Sequence, residues 1–313
     1  MIDVSVIIPV YNTESYIEET IKSVADQEMK NYEIIVVDDG STDQSIEIAE
    51  RVLKDGAIPY RVISQENKGL ACARNTGIKA ASGSYVCFVD SDDIIALSHI
   101  STMYSLAVKN NLDIVCCRFE RTTVENRRGE IGENKESRIV DPDEFAETLI
   151  NRKPAIHICC MLLKREFLLS NNLLFNEKLR YGEDSDFFLQ LAYVCKSVGM
   201  TNNNSYKYMN RPGSIMKTIT LKQGEVFVEE LKKTCERLGS KADIAYGRWV
   251  LGFLHAFARC VDYKDFKEIA RKVDRRMILK TVKASKQMSV KGFGLLFRIH
   301  PVLAYVAVKM VGR

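Results

Sequence analysis

"VSVIIPVYNTESYIEETIKSVADQEMKNYEIIVVDD", residues 4–39, holds two β-branched apolar runs with a stretch of helical periodicity between them. The runs VSVIIPV (4–10) and EIIVVDD (33–39) are continuously apolar rather than alternating, which suits strands covered on both faces of a parallel sheet. Thr13 to Gln27 predicts the crossover helix that parallel neighbours require. The alternation continues outward through YRVIS (60–64), YVCFVD (85–90) and LDIVCC (112–117), with further helices over Ser41 to Leu53 and Gly69 to Ala81. Ser41 with Gln44 three residues on predicts a capping box. The fold class is α/β: a Rossmann-like, mostly parallel sheet with flanking helices.

Beyond Cys117 the chain turns polar, and ENRRGEIGENKESR (125–138) predicts an exposed loop or hairpin. A helix is expected near Asp143 to Asn151, a strand near His157 to Leu163, a helix from Glu183, and short strands at 197–201 and 205–209. After Thr220 the pattern is helical throughout. These readings give an α/β region over 1–218, with halves 1–117 and 118–218, followed by a helical region over 219–313. No internal repeat or low-complexity linker interrupts them.

With 46% hydrophobic residues among 313, the chain has enough apolar material for a sizeable core. Its nine cysteines form no CxxC pattern and are odd in number, so reduced thiols in a cytoplasmic protein are expected. Met1-Ile2-Asp3 lacks a basic leader, and no apolar run reaches the ~18 residues of a membrane-spanning helix. The net charge of +4 is unevenly placed: residues 264–313 carry 13 Lys and Arg against 3 Asp and Glu. The apolar end of that tail, GFGLLFRIHPVLAYVAVKMVGR (292–313), follows a basic helix expected over 264–286. Together they predict a segment lying on an anionic membrane surface, against the alternative of packing on protein or on a second subunit of a homo-oligomer. So much apolar content argues against a nucleic-acid surface.

In open parallel sheets, ligands bind beyond the carboxyl ends of the strands. Four motifs fall there: Pro9 to Asn12, Asp38-Asp39-Gly40, Gln65-Glu66-Asn67, and Asp90-Ser91-Asp92-Asp93. In an extended segment Asp90 and Asp92 point the same way. Like charges that close call for a cation, and carboxylate oxygens suit Mg2+ or Mn2+. Gly40 lets the backbone turn closely past a ligand, with Asp38 free to cap that turn. A second carboxylate source lies at YGEDSDFFLQLAYVC (181–195), where helical spacing puts Asp184 in a stripe with Phe188, Leu191 and Cys195, Glu183 with Phe187, and Asp186 outward.

VSVIIPVYN, VVDDGSTD, QENKGLACARNTGI, FVDSDD and YGEDSDF, in that order over roughly the first 215 residues, resemble glycosyltransferase family 2, of the bacterial polysaccharide type. The resemblance implies the GT-A fold and an enzyme that transfers a sugar from a nucleotide-diphosphate sugar, most often a UDP-sugar, with inversion. The acceptor would be a hydroxyl of a glycan or a lipid-linked saccharide. It implies that Pro9 and Tyr11 line the nucleoside pocket, that Asp39 accepts the base N–H, and that Asn67 and Arg74 approach the uridine and diphosphate. Asp90 would lie near the ribose or metal, Asp92 would be the Mn2+ or Mg2+ ligand proper, and Asp184 the general base with Glu183 orienting it. NRPGSIM (210–216) resembles a diphosphate-closing loop, with Arg211 and Ser214 as contacts, although it lacks the His some relatives carry there. A cytoplasmic enzyme peripheral to the inner face of the plasma membrane is expected. A nucleotidyltransferase and a non-catalytic scaffold are the competing readings; the first is disfavoured because PVYNTES stands where a glycine-rich, basic phosphate loop would follow the first strand.

Overall fold

The structure is a computed structural model and describes residues 2–54, 56–123, 136–153, 155–210 and 219–311. In chain order the first part runs β1 (Val4–Val10), α1 (Ile17–Ala25), β2 (Tyr32–Asp38), α2 (Ser45–Lys54), β3 (Tyr60–Ser64), α3 (Leu70–Ala80), β4 (Tyr85–Phe88) and β5 (Ile94–Ile95). It continues with α4 (His99–Asn110), β6 (Ile114–Cys116), β7 (Phe119–Thr122), β8 (Ser137–Val140), α5 (Pro142–Asn151), β9 (Met161–Lys164), α6 (Arg165–Ser170), α7 (Glu183–Val194), β10 (Val198–Thr201) and β11 (Tyr206–Met209). Six helices complete it: α8 (Leu221–Leu238), α9 (Asp243–Cys260), α10 (Tyr263–Lys272), α11 (Arg275–Ala284), α12 (Met288–Ile299) and α13 (Pro301–Val311).

The chain divides into two compact units, one of residues 1–177 and 194–212, the other of 178–193 and 213–313. In the first, eight strands form one sheet in the order β3-β2-β1-β4-β9-β6-β10-β8. The half built from the opening motifs, β3-β2-β1-β4, is wholly parallel, while β9 enters antiparallel between β4 and β6. Every residue of β1 and β2 is buried, as continuous apolar runs require. Helix α3 lies close on β1: a Cβ at Gly77 would stand 2.3 Å from Ile7 Cγ2. A second, three-stranded sheet has the order β5-β11-β7.

Several expectations are corrected. Most of the stretch 125–138, expected as an exposed loop or hairpin, lies outside the described residues; of the strands that flank it, β7 pairs with β11 and β8 with β10. Ser41 and Gln44 make no capping box: α2 starts at Ser45, whose N–H donates to Asp43 Oδ1, while Ser41 Oγ accepts from the Asn12 N–H. A capping box does occur at Thr220 and Gln223, where α8 begins. The basic helix expected over 264–286 is two helices, parted where Asp274 caps α11 by accepting from the N–H groups of Arg276 and Met277.

The second unit is helical, and it includes the α7 segment that the sequence assigned to the α/β region ending at 218. Aromatic contacts hold that segment in the helical unit: Tyr181 and Phe253 pack on Phe227, and Phe188 packs on Trp249. No helix among the described residues is long and apolar enough to cross a membrane.

Candidate active site

The parallel register aligns the strand ends that carry the motifs. Asp39 N–H donates to Val10 O, Gln65 N–H to Asp38 O and Val89 N–H to Ile7 O, so the residues after β1, β2, β3 and β4 emerge along one edge. Pro9 is buried within β1, whereas Tyr11, just past its end, is 49% exposed.

Asp38 caps the turn by accepting from the Ser41 N–H at 2.8 Å. Asp39 is buried and accepts three bonds, from Gln65 Nε2 and the Lys68 N–H on Oδ1 and from the Gly69 N–H on Oδ2, each 2.8 Å. It therefore clamps the 65–69 loop that leads into α3, a role the sequence did not reveal. Gly40 permits this approach: its φ is +78°, and a Cβ there would stand 3.0 Å from the Asn67 nitrogen. The side chain of Asn67 is exposed on that loop.

The carboxylates after β4 are held differently from the extended pair that the spacing predicts. The Asp93 N–H bonds back to Asp90 O, closing a turn, and Asp93 is buried against β11. Its Oδ2 accepts from the Tyr206 hydroxyl at 2.6 Å and its Oδ1 from the Met209 N–H at 2.7 Å. Burial, then the charges of Asp90 and Asp92, push the Asp93 carboxyl well above the ordinary range. Tyr206 is raised as well, by its own burial and then by Asp93.

Asp90, 21% exposed, is ion-paired with Arg74, whose Nη2 lies 2.9 Å from Asp90 Oδ1. Burial works to raise the Asp90 carboxyl, but Arg74 and His157 override it and hold the group below the usual range. Arg74 is itself only 2% exposed, its guanidinium 5.3 Å from the centre of the Phe175 ring and 5.9 Å from that of Phe88. One arm of its fork is thus bonded to Asp90 inside the protein.

His157 and Cys159, singled out by no motif, bring ligand atoms within 4.8 Å of those of Asp90. The His157 ring also packs on Tyr208 at 5.1 Å and Tyr206 at 6.1 Å. Both Asp93 oxygens accept hydrogen bonds, and the other two carboxylates of the cluster are Asp90, held by Arg74, and Asp92, half-buried in the turn. Hard oxygen donors in a cluster whose mutual repulsion already raises one member fit Mg2+ or Mn2+.

In the other unit, Glu183 and Asp184 occupy the first turn of α7, both half-buried, with Asp184 Oδ1 accepting from the Ser185 N–H at 2.7 Å. Asp186 is not outward as the helical spacing predicts. It is buried, accepting from the Thr234 hydroxyl and from Gln190 Nε2, and burial raises its carboxyl. Arg211 and Ser214 lie outside the described residues.

A family model described as glycosyl transferase family 2 matches residues 5–169. The chain belongs to that family. Among curated relatives, the uncharacterized glycosyltransferase EpsJ of Bacillus subtilis is 39% identical over 215 residues, covering 68% of this chain and 62% of EpsJ. Glycosyltransferase GlyA of Streptococcus pneumoniae is 33% identical over 254 residues, 78% of this chain but only 35% of GlyA. The chain thus spans under two thirds of the length of either relative. Among solved structures, residues 1–349 of Staphylococcus aureus TarS in complex with UDP-GlcNAc align over 99% of this chain and 91% of that one, with a TM-score of 0.72 at 21% identity. The mannosyltransferase PcManGT of Pyrobaculum calidifontis, in complex with GDP-Man and Mn2+, aligns over 97% and 86%, with a TM-score of 0.54 at 16% identity. These likenesses establish the GT-A fold.

Proposed function

We propose that this chain transfers a sugar from a nucleotide-diphosphate sugar, with UDP-sugars the first donors to test, to a hydroxyl of a glycan or lipid-linked acceptor, inverting the anomeric carbon in a single displacement. One observation carries the reading: four motif-bearing strand ends emerge along one edge of a parallel sheet, the last of them ending in a cluster of three aspartates. It is supported by the family, and by the UDP-GlcNAc and the GDP-Man with Mn2+ bound to proteins of the same fold.

In this reading Tyr11 and Asn67, exposed at their strand ends, face the nucleoside, and Asp39 keeps the 65–69 loop in place while offering its remaining lone pairs to the base. Asp92 and Asp90 hold the cation. A divalent ion bound there supplies charge neutralisation for the departing nucleoside diphosphate. Arg74 positions Asp90 rather than touching the donor. Asp184 takes the proton from the acceptor hydroxyl as that oxygen attacks, with Glu183 beside it on the first turn of α7.

The test pairs a donor panel with one substitution. Thermal stabilisation by individual sugar nucleotides identifies the donor, and turnover with acceptor extracts is then expected to release nucleoside diphosphate, not pyrophosphate. Asp184→Asn is expected to leave donor stabilisation intact while transfer falls at least about a hundredfold. Pyrophosphate as product, or transfer unaffected by that substitution, contradicts the proposal.

A further inference from the structure

We infer that α12 and α13 together form a surface that docks this chain onto an anionic lipid bilayer. The inference goes beyond the transfer reaction and does not depend on it. On α12, Met288, Leu295 and Ile299 are 79%, 45% and 71% exposed. With Gly292 they fall in one strip of roughly 60° around the helix. Val290, Gly294 and Phe297, on the opposite side, are buried, so the core-facing side of α12 is already satisfied.

Helix α13 repeats the arrangement. Leu303, Val306 and Met310 are 42%, 43% and 74% exposed, while Ala304 and Val308 on the far side are buried. The single residue His300 separates the helices, with Ile299 of one strip directly before it and Leu303 of the other three residues after it. Of the twelve large hydrophobic side chains exposed among the described residues, six lie on these two helices. Scattered surface apolar residues need no explanation, but a strip repeated on consecutive helices does.

Charge selects the occupant. After Asp274 the sequence contains no Asp or Glu, yet it contains nine Lys and Arg. Lys291 and Arg298 border the strip on α12, while Lys309 on α13 sets its ammonium on the Arg259 carbonyl and over the Tyr305 ring. A second copy of the chain would bring the same cations face to face, whereas anionic headgroups complement them. Among the described residues neither helix is long and apolar enough to cross a bilayer. An apolar face edged by cations on short helices has the form of an interfacial segment, lying in the plane of the membrane with its cations among the headgroups.

The experiment uses the full chain and sucrose-loaded vesicles of phosphatidylcholine, alone or in equal parts with phosphatidylglycerol. The wild type is expected to sediment with the mixed vesicles far more than with the neutral ones, and high salt should release it. The double substitution Ile299→Ser with Leu303→Ser is expected to lower partitioning at least about tenfold. Lys291→Glu with Arg298→Glu, on exposed or half-exposed positions that need no repacking, should do the same on the mixed vesicles. Circular dichroism and UDP binding, expected to be unchanged in both variants, separate loss of docking from loss of fold or of the donor site. Absence of binding to mixed vesicles, or binding unchanged in both variants, overturns the inference. So does self-association at micromolar concentration that the serine variant abolishes, which would assign the face to a second copy.

Discussion

Arg74 places a buried guanidinium against the touching rings of Phe88 and Phe175 and ties it to Asp90 at 2.9 Å. Removing one member of so enclosed a pair leaves the other charge desolvated and uncompensated, a larger effect than the net worth of the pair. Arg74→Met, which keeps the aromatic packing but not the charge, is expected to cost roughly 3 kcal/mol, read as a lower urea midpoint with an unchanged slope. A midpoint equal to that of the wild type contradicts the assignment. The sequence motifs hold Arg74 and Asp90 separately and give no sign that the two pair with each other. Nor do they mark Asp93 as a structural carboxylate, because its partner Tyr206 is 113 residues away and no local pattern connects them. His157 and Cys159 escaped for the same reason: their relation to Asp90 exists only across the folded sheet.

At the scale of elements, the strands were legible wherever burial on both faces leaves an unbroken apolar run, as in β1 and β2. Helix α7 was located but misread in its orientation. Residues 185–191 are all buried, so no solvent face exists to generate the 3.6-residue contrast on which the reading of Asp186 relied. What fixes the start of α7 is Gly182. Its φ is +75°, and an added Cβ would stand 2.4 Å from Phe227 Cε2. Gly182→Ala therefore combines backbone strain with a clash in the aromatic cluster of Tyr181, Phe227 and Phe253. Its expected cost is roughly 2 kcal/mol or more, seen as a lower thermal midpoint. An unchanged midpoint would mean that the cluster yields and that the glycine is not required.

For the molecule as a whole, the α/β architecture was readable because each strand–helix–strand repeat is written in consecutive residues. The division into units was less so. The α7 segment returns to the helical unit through aromatic contacts with α8 and α9, which no sequence window spans. The proposed metal-side carboxylate, Asp92, and the proposed base, Asp184, consequently belong to different units. In the proposed reaction the aspartate turn after β4 recruits a cation in order to hold a nucleoside diphosphate. Calorimetric titration of UDP into the wild type and Asp92→Asn, each with and without Mn2+, tests it without knowledge of the acceptor. Mn2+ is expected to tighten UDP binding at least about tenfold in the wild type and not in the variant. UDP affinity that is indifferent to Mn2+, or an enhancement that survives in Asp92→Asn, would contradict it.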